Sequence, residues 1–289
     1  MTPLIAVVLN WNGGDDTLAA LASLDGTHTI CVDNGSTDGS DCDVEERFPE
    51  VELLRLGANR GFAAGNNAGI RRALERGADW ILLLNNDAAA EPGLAAALER
   101  AATARPDAGL LACKILNEDG VGVQYAGASF SARFGYSGRV STTGPDRLRD
   151  VGRADGAALA VSLSAAERAG LLDESLFLYV EDVEWSLRIR AAGFAVVFVP
   201  DARVRHKGSA ASGGSGSTTN LYYDTRNTIA VTERYARLPA GLRGLRRLVV
   251  VGAHLVQALA HPVRTDAIRA VLAGWRDARA GRLGQRSSR

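Results

Sequence analysis

An apolar run, Trp80-Ile81-Leu82-Leu83-Leu84, ends abruptly in Asn85-Asn86-Asp87. Runs of this length bounded by polar residues read as interior strands of a mostly parallel sheet. Ligands of such sheets sit beyond the carboxyl ends of the strands. Asp87 is therefore a carboxylate delivered to where a ligand should lie. Hard cations such as Mg²⁺ take one or two carboxylates plus substrate phosphate oxygens, so the spacing points to a metal–diphosphate site.

A second acidic cluster lies in Tyr179-Val180-Glu181-Asp182-Val183-Glu184. Glu181 and Asp182 fall at the start of a helical pattern, where carboxylates cap amides and suit the helix dipole. Alternatively, one of them is a general base, which must be ionised and within reach of a hydroxyl proton. Helix-start amides should keep Asp182 ionised, and the like charges of Glu181 and Glu184 oppose that. Trp185 and Arg188 read as packing and salt-bridging residues. His206 closes an extended segment and precedes the Gly/Ser-rich run 208–219, where a lid would hinge, and its imidazole is a candidate second ligand beside Asp87. His28, His254 and His261 have no such setting.

Two further segments follow strand patterns. In 32–40 Asp33 stands at a strand end before a Gly- and Ser-rich turn. It can accept from a base N–H or ribose hydroxyls, or simply form an Asx-turn; Asp38 reads as a turn residue. In 59–70 Arg60 can meet phosphate or base, and the neighbouring small residues allow close backbone approach. No GKS or GKT loop occurs, and no GxGxxG follows the first strand. Phosphate must be neutralised in another way, which again favours metal.

The elements that position these residues alternate. Strand patterns at 5–11, 28–34, 51–56, 80–85 and 108–116 interleave with helical ones at 15–24, 61–76 and 91–104. This rhythm predicts a parallel sheet with helices on both faces. Residues 117–152 break it, with a composition suited to a hairpin or ordered loop. A strand pattern returns at 156–163, with Ser164 placed to cap a short helix; 183–192 reads as helix, and 195–206 as extended chain interrupted by Pro200. From Asn220 the pattern is helical.

The chain has 289 residues, 46% of them hydrophobic, and zero formal net charge, which gives no case for a nucleic-acid binder. Three cysteines without metal spacing do not suit a disulfide framework, and Cys31 reads as a core residue. Neither a signal peptide nor a membrane-spanning run is evident. The chain is expected to be cytoplasmic.

In order and spacing, Val7–Gly13, Val32–Ser40, Asn59–Ile70, Leu82–Ala88, the Glu181-Asp182 pair and His206 resemble the inverting family 2 glycosyltransferases of GT-A fold, and within them a rhamnosyltransferase-like subgroup. The resemblance spans roughly residues 4–215. It implies an α/β, Rossmann-like, mostly parallel central sheet with helices on both faces, plus a C-terminal helical extension. The catalytic domain would run over 1–219, with a nucleotide-binding half (1–115) and an acceptor half carrying base and lid (116–219); the helical region would be 220–289. Leu9, Asn10, Asn12, Asp33, Arg60, Gly61, Asn66, Asn85, Asn86 and Asp87 would line the nucleotide-sugar. Asp87 and His206 would hold Mg²⁺ or Mn²⁺, and Asp182 would be the catalytic base. Asn85 stands where the family's DxD motif begins with an acid.

The implied reaction moves a sugar from a nucleotide diphosphate, dTDP-rhamnose foremost and a UDP- or GDP-sugar otherwise, to a hydroxyl of a glycan, lipid-linked or small-molecule acceptor. Rival readings are a degenerate nucleotide-sugar binding protein and a sugar-phosphate nucleotidyltransferase; the latter needs a Gly-rich basic loop after the first strand, which Asn10–Asp15 does not supply. Between Arg243 and Arg289 ten arginines face only Asp266 and Asp277 beside apolar helical stripes. Such a region suits an anionic membrane at the inner face of the cell, a homodimer interface, or a cap on the catalytic domain.

Overall fold

The structure is a computed structural model describing residues 3–24, 26–139, 146–208 and 217–286. The expected lid, 208–219, lies largely outside the described residues. Strands β1 (Leu4–Asn10), β2 (Thr29–Asp33), β3 (Glu52–Arg55) and β4 (Trp80–Asn85) alternate with helices α1 (Gly14–Ala22), α2 (Ser40–Arg47) and α3 (Phe62–Glu75). There follow β5 (Ala88–Ala90), α4 (Leu94–Ala104), β6 (Ala108–Asn117), β7 (Val123–Tyr125), the hairpin β8 (Ala128–Ser131)–β9 (Tyr136–Arg139), and β10 (Arg149–Asp150). Then come β11 (Ala158–Ser162), α5 (Leu163–Ala169), a 3₁₀ turn (Glu174–Leu176), α6 (Glu181–Ala191) and β12 (Ala195–His206). The chain closes with α7 (Thr218–Tyr235), α8 (Ala240–Ala260) and α9 (Arg264–Arg279).

The main sheet has the order β10-β12-β6-β11-β4-β1-β2-β3, with β5 on β12 and β7 on β6. The donor-side strands β4, β1, β2 and β3 are parallel, as the alternation predicts. β11 runs antiparallel between β4 and β6, an orientation that its apolar pattern could not reveal. Helix α3 packs closely because Gly65 and Gly69 lie against Leu9 and Val7, leaving no room for a Cβ. Ser162, rather than the expected Ser164, caps α5, its hydroxyl accepting from the Ala165 amide at 3.2 Å. Pro200 does not end β12; it falls at an irregularity in the ladder with β6 between Val199 and Arg203. Among the described residues no helix is long and apolar enough to cross a membrane. A second, smaller core joins α7, α8 and α9 through Leu221, Tyr222, Ile229, Val250 and Val271.

Candidate active site

Register builds the donor edge. Asn10 pairs with Asp33 and Leu9 with Asn85 across three adjacent parallel strands, so their last residues share one rim of the sheet. The Asn10 side chain is fully buried and saturated: its amide donates to Asp33 (3.1 Å), Ser36 (3.2 Å) and Ser40 (2.8 Å), and its oxygen accepts from the Gly13 amide and Thr17. Asp33 also accepts from the amides of Gly35 (3.1 Å) and Ser36 (3.2 Å), which is the Asx-turn geometry, and Asp38 accepts from Ser40 as a turn residue does. Asn12, at φ +52°, accepts from the Thr37 amide. These side chains make a rigid cradle whose turns, more than its side-chain heads, meet whatever lies above.

Sequence reasoning passed over Asn34. Its oxygen accepts from the Arg60 amide (2.9 Å) and its nitrogen donates to Asn59 and the Gly61 carbonyl (both 3.2 Å), pinning 59–61 to the end of β2. Arg60 is exposed, with one guanidinium nitrogen 3.3 Å from the Leu56 carbonyl. Gly61, at φ +88°, abuts Phe177, and Phe62 donates its amide to the Phe177 carbonyl (2.7 Å). Asn66 is buried, with its amide on the Phe62 carbonyl of its own helix (3.0 Å). Asn86 is buried against Thr17 (3.3 Å).

Asp87 meets His206 through strand pairing: β5 and β12 run antiparallel with Ala88 opposite His206. Both side chains are buried, and His206 Nε2 stands 3.1 Å from Asp87 Oδ1. Gln124 of β7 fixes the ring. Its amide nitrogen donates to the His206 carbonyl (2.7 Å), which turns its oxygen to His206 Nδ1 (2.9 Å). Gln124 thus engages Nδ1, and Nε2, which has no hydrogen-bond partner, faces the carboxylate. An imidazole nitrogen and a carboxylate oxygen so placed are a donor pair that a divalent cation accepts. Adjacent ligands of octahedral Mg²⁺, at about 2.1 Å from the ion, stand roughly 3.0 Å apart, so the pair fits a divalent metal. Among the described residues no third acid, histidine or cysteine joins them, so ligands from outside the chain would complete the shell.

The acid cluster opens α6. Three non-glycine residues precede it in left-handed backbone: Phe177 (φ +66°), Tyr179 (φ +66°) and Val180 (φ +72°). Each costs on the order of 1–3 kcal/mol and persists only where the surroundings dictate it. Here Asn227 of α7 sets its amide within 2.8–3.0 Å of the carbonyls of Leu176, Leu178 and Tyr179, and buried Arg226 donates to Leu176 (2.9 Å). Asp182 then accepts from the amides of Gly156 (3.0 Å) and Val183 (2.7 Å) and lies 3.5 Å from Arg153. Burial raises its pKa above the usual carboxylate range, and Arg153 with the two amides opposes that rise. Burial, then the charge of Asp182, pushes Glu181 up to about 8. Both carboxyls are thus pushed up, Asp182 against the pull of Arg153 and two amides and Glu181 with no cation beside it. Trp185, donating to the Gly170 carbonyl, and Arg188, paired with Glu184, are structural as expected.

His254, as expected, takes no place beside Asp87. It is buried beside Asp224 (3.3 Å). Burial lowers its pKa, but the Asp224 carboxylate outweighs that and raises it. Asp224 in turn adds negative potential at Glu181.

The sequence profile of glycosyl transferase family 2 matches residues 12–151. The chain is 32% identical over 267 residues, 82% of its own length and 86% of the relative's, to an N-acetylglucosaminyl-diphospho-decaprenol L-rhamnosyltransferase of Mycobacterium tuberculosis. It is 26% identical to the dTDP-rhamnosyl transferase RfbF of Shigella flexneri, over 70% of this chain and 68% of that one. Its fold superposes on the crystal structure of GalNAc-T7 with UDP, GalNAc and Mn²⁺ at a TM-score of 0.61 and 16% identity, covering 86% of this chain and 54% of the other.

Proposed function

The chain belongs to the family 2 glycosyltransferases, and from that premise we propose that it is a metal-dependent, inverting enzyme using dTDP-rhamnose and a lipid-linked hydroxyl acceptor. One observation carries the reading. Asp182 binds the Gly156 amide (3.0 Å), and the next residue, Ala157, accepts from the amide of Asn85 (3.0 Å) at the start of the Asn-Asn-Asp motif. Two hydrogen bonds thus tie the candidate base to the strand end that presents Asp87. Donor and acceptor preferences follow the relatives, whose names specify dTDP-rhamnose and a diphospho-decaprenol acceptor.

In the proposed reaction the acceptor oxygen attacks the sugar C1 as the bond from C1 to the diphosphate oxygen breaks. Asp182 takes the acceptor's proton, a contribution of about 10²–10⁴-fold. The Asx-turn at Asp33 and the loop at Arg60 orient the nucleotide. A divalent ion on Asp87 and His206 would supply Lewis-acid stabilisation of the leaving diphosphate.

Calorimetry of dTDP-rhamnose with and without Mn²⁺ tests this. Binding should tighten with Mn²⁺ in the wild type and lose that dependence, by roughly tenfold or more, in Asp87→Ala. Metal-independent binding would refute the metal assignment, and tighter binding of a UDP- or GDP-sugar would refute the donor.

A further inference from the structure

Helix α8 is built inside out. Three of its five polar residues lie on the packed side: Arg246 is buried with its guanidinium on the carbonyls of Ala132 (3.1 Å) and Ala236 (3.0 Å), Arg247 pairs with Glu233 (2.5 Å), and His254 pairs with Asp224 (3.3 Å). Its outer side carries Leu242, Leu245, Leu248, Val249, Val256 and Leu259, each at least 50% exposed. At 100° per residue these positions, with Gly252, Ala253 and Ala260 between them, span an arc of about 140° without a single polar side chain. Of the twelve large apolar residues exposed among the described ones, eight lie between Leu242 and Leu272. The turn of the β8–β9 hairpin, held by the Arg246 bond to Ala132, adds exposed Phe134. A stripe of about 30 Å, from 21 residues at 1.5 Å each, is not a scatter of single surface residues.

The charge around the stripe identifies its occupant. Residues 233–277 hold eight arginines and three acids, Glu233, Asp266 and Asp277, in a chain of zero net charge. Arg243, in the first turn of α8, and Arg264, four residues past its end, are exposed at the two ends of the helix, and Arg133 sits beside Phe134. In a two-fold dimer the patch would meet itself, arginine rim against arginine rim. An anionic bilayer offers the complementary charge and an apolar layer deep enough for the leucines.

We propose that the outer face of α8 is a membrane-docking surface, lying flat in the headgroup region of an anionic bilayer. The inference rests on this surface alone and is independent of the donor and acceptor assigned above.

Co-sedimentation of the full chain with vesicles tests it. Wild type should pellet with phosphatidylcholine–phosphatidylglycerol vesicles (about 3:1) and much less with phosphatidylcholine alone. The double variant L245E/V256E should lose binding roughly tenfold or more, with unchanged melting temperature and nucleotide binding. R243S/R264S should lose binding to the anionic vesicles selectively. The proposal is overturned if wild type stays in the supernatant with both vesicles, or if L245E/V256E pellets like wild type. It is equally overturned if light scattering shows a lipid-free dimer that L245E/V256E converts to monomer, since the stripe is then a self-interface.

Discussion

At the donor edge Asn10, Asp33 and Asn85 stand where they do because three neighbouring parallel strands end in register. At the acid cluster Asp182 stands where it does because Asn227 and Arg226, from a helix more than forty residues later, hold a strained approach to α6. The first region is positioned by backbone ladders that also make the core, so its geometry comes with folding. The second depends on a few side-chain bonds spanning long sequence separations. The difference separates rigidity from adjustability: the proposed nucleotide end of the site is fixed, and the proposed base end is set by a clamp that single substitutions can release.

Breaking the base itself gives the largest effect. Asp182→Asn should lower turnover by about 10²–10⁴-fold and leave the dissociation constant for dTDP-rhamnose within about twofold. Steady-state kinetics beside calorimetry reads both, and normal turnover would remove Asp182 from the chemistry. Loosening the clamp comes next. Asn227→Ala leaves the Leu178 and Tyr179 carbonyls short of a donor and lets Phe177, Tyr179 and Val180 relax, so turnover should fall about 10–100-fold with donor binding again unchanged. Its stability cost, about 1–3 kcal/mol, should appear as a few degrees in a thermal melt. If donor binding and turnover fall together, the two regions are not separable in the way described.

The sequence carries the donor edge more openly than the acid cluster, for a physical reason. Apolar runs ending in Asn10, Asp33 and Asn85 mark both the strands and their functional ends, because burial and side-chain chemistry change at the same residue. Pairings between distant segments leave no such mark. Nothing local distinguishes Asn227 from any polar residue of an amphipathic helix, and the antiparallel pairing that sets His206 opposite Ala88 is a property of the folded sheet. Gln124 was likewise hidden in the irregular stretch 117–152, although it orients His206. Helix α2 went unread because half of its eight residues are acidic and only Ser40 and Val44 are buried. The pairing of His254 with Asp224, thirty residues away, likewise leaves no local mark.

The account turns on one cavity serving both acids, Asp87 on the leaving side and Asp182 on the attacking side. A crystal structure with dTDP-rhamnose and Mn²⁺ measures this directly through the distance from the Asp182 carboxylate to the sugar C1. It should be short enough for one hydroxyl to bridge the two, with hydrogen-bond and attack distances of about 3 Å each. An Asp182 that opens onto a surface away from the bound sugar would contradict the account.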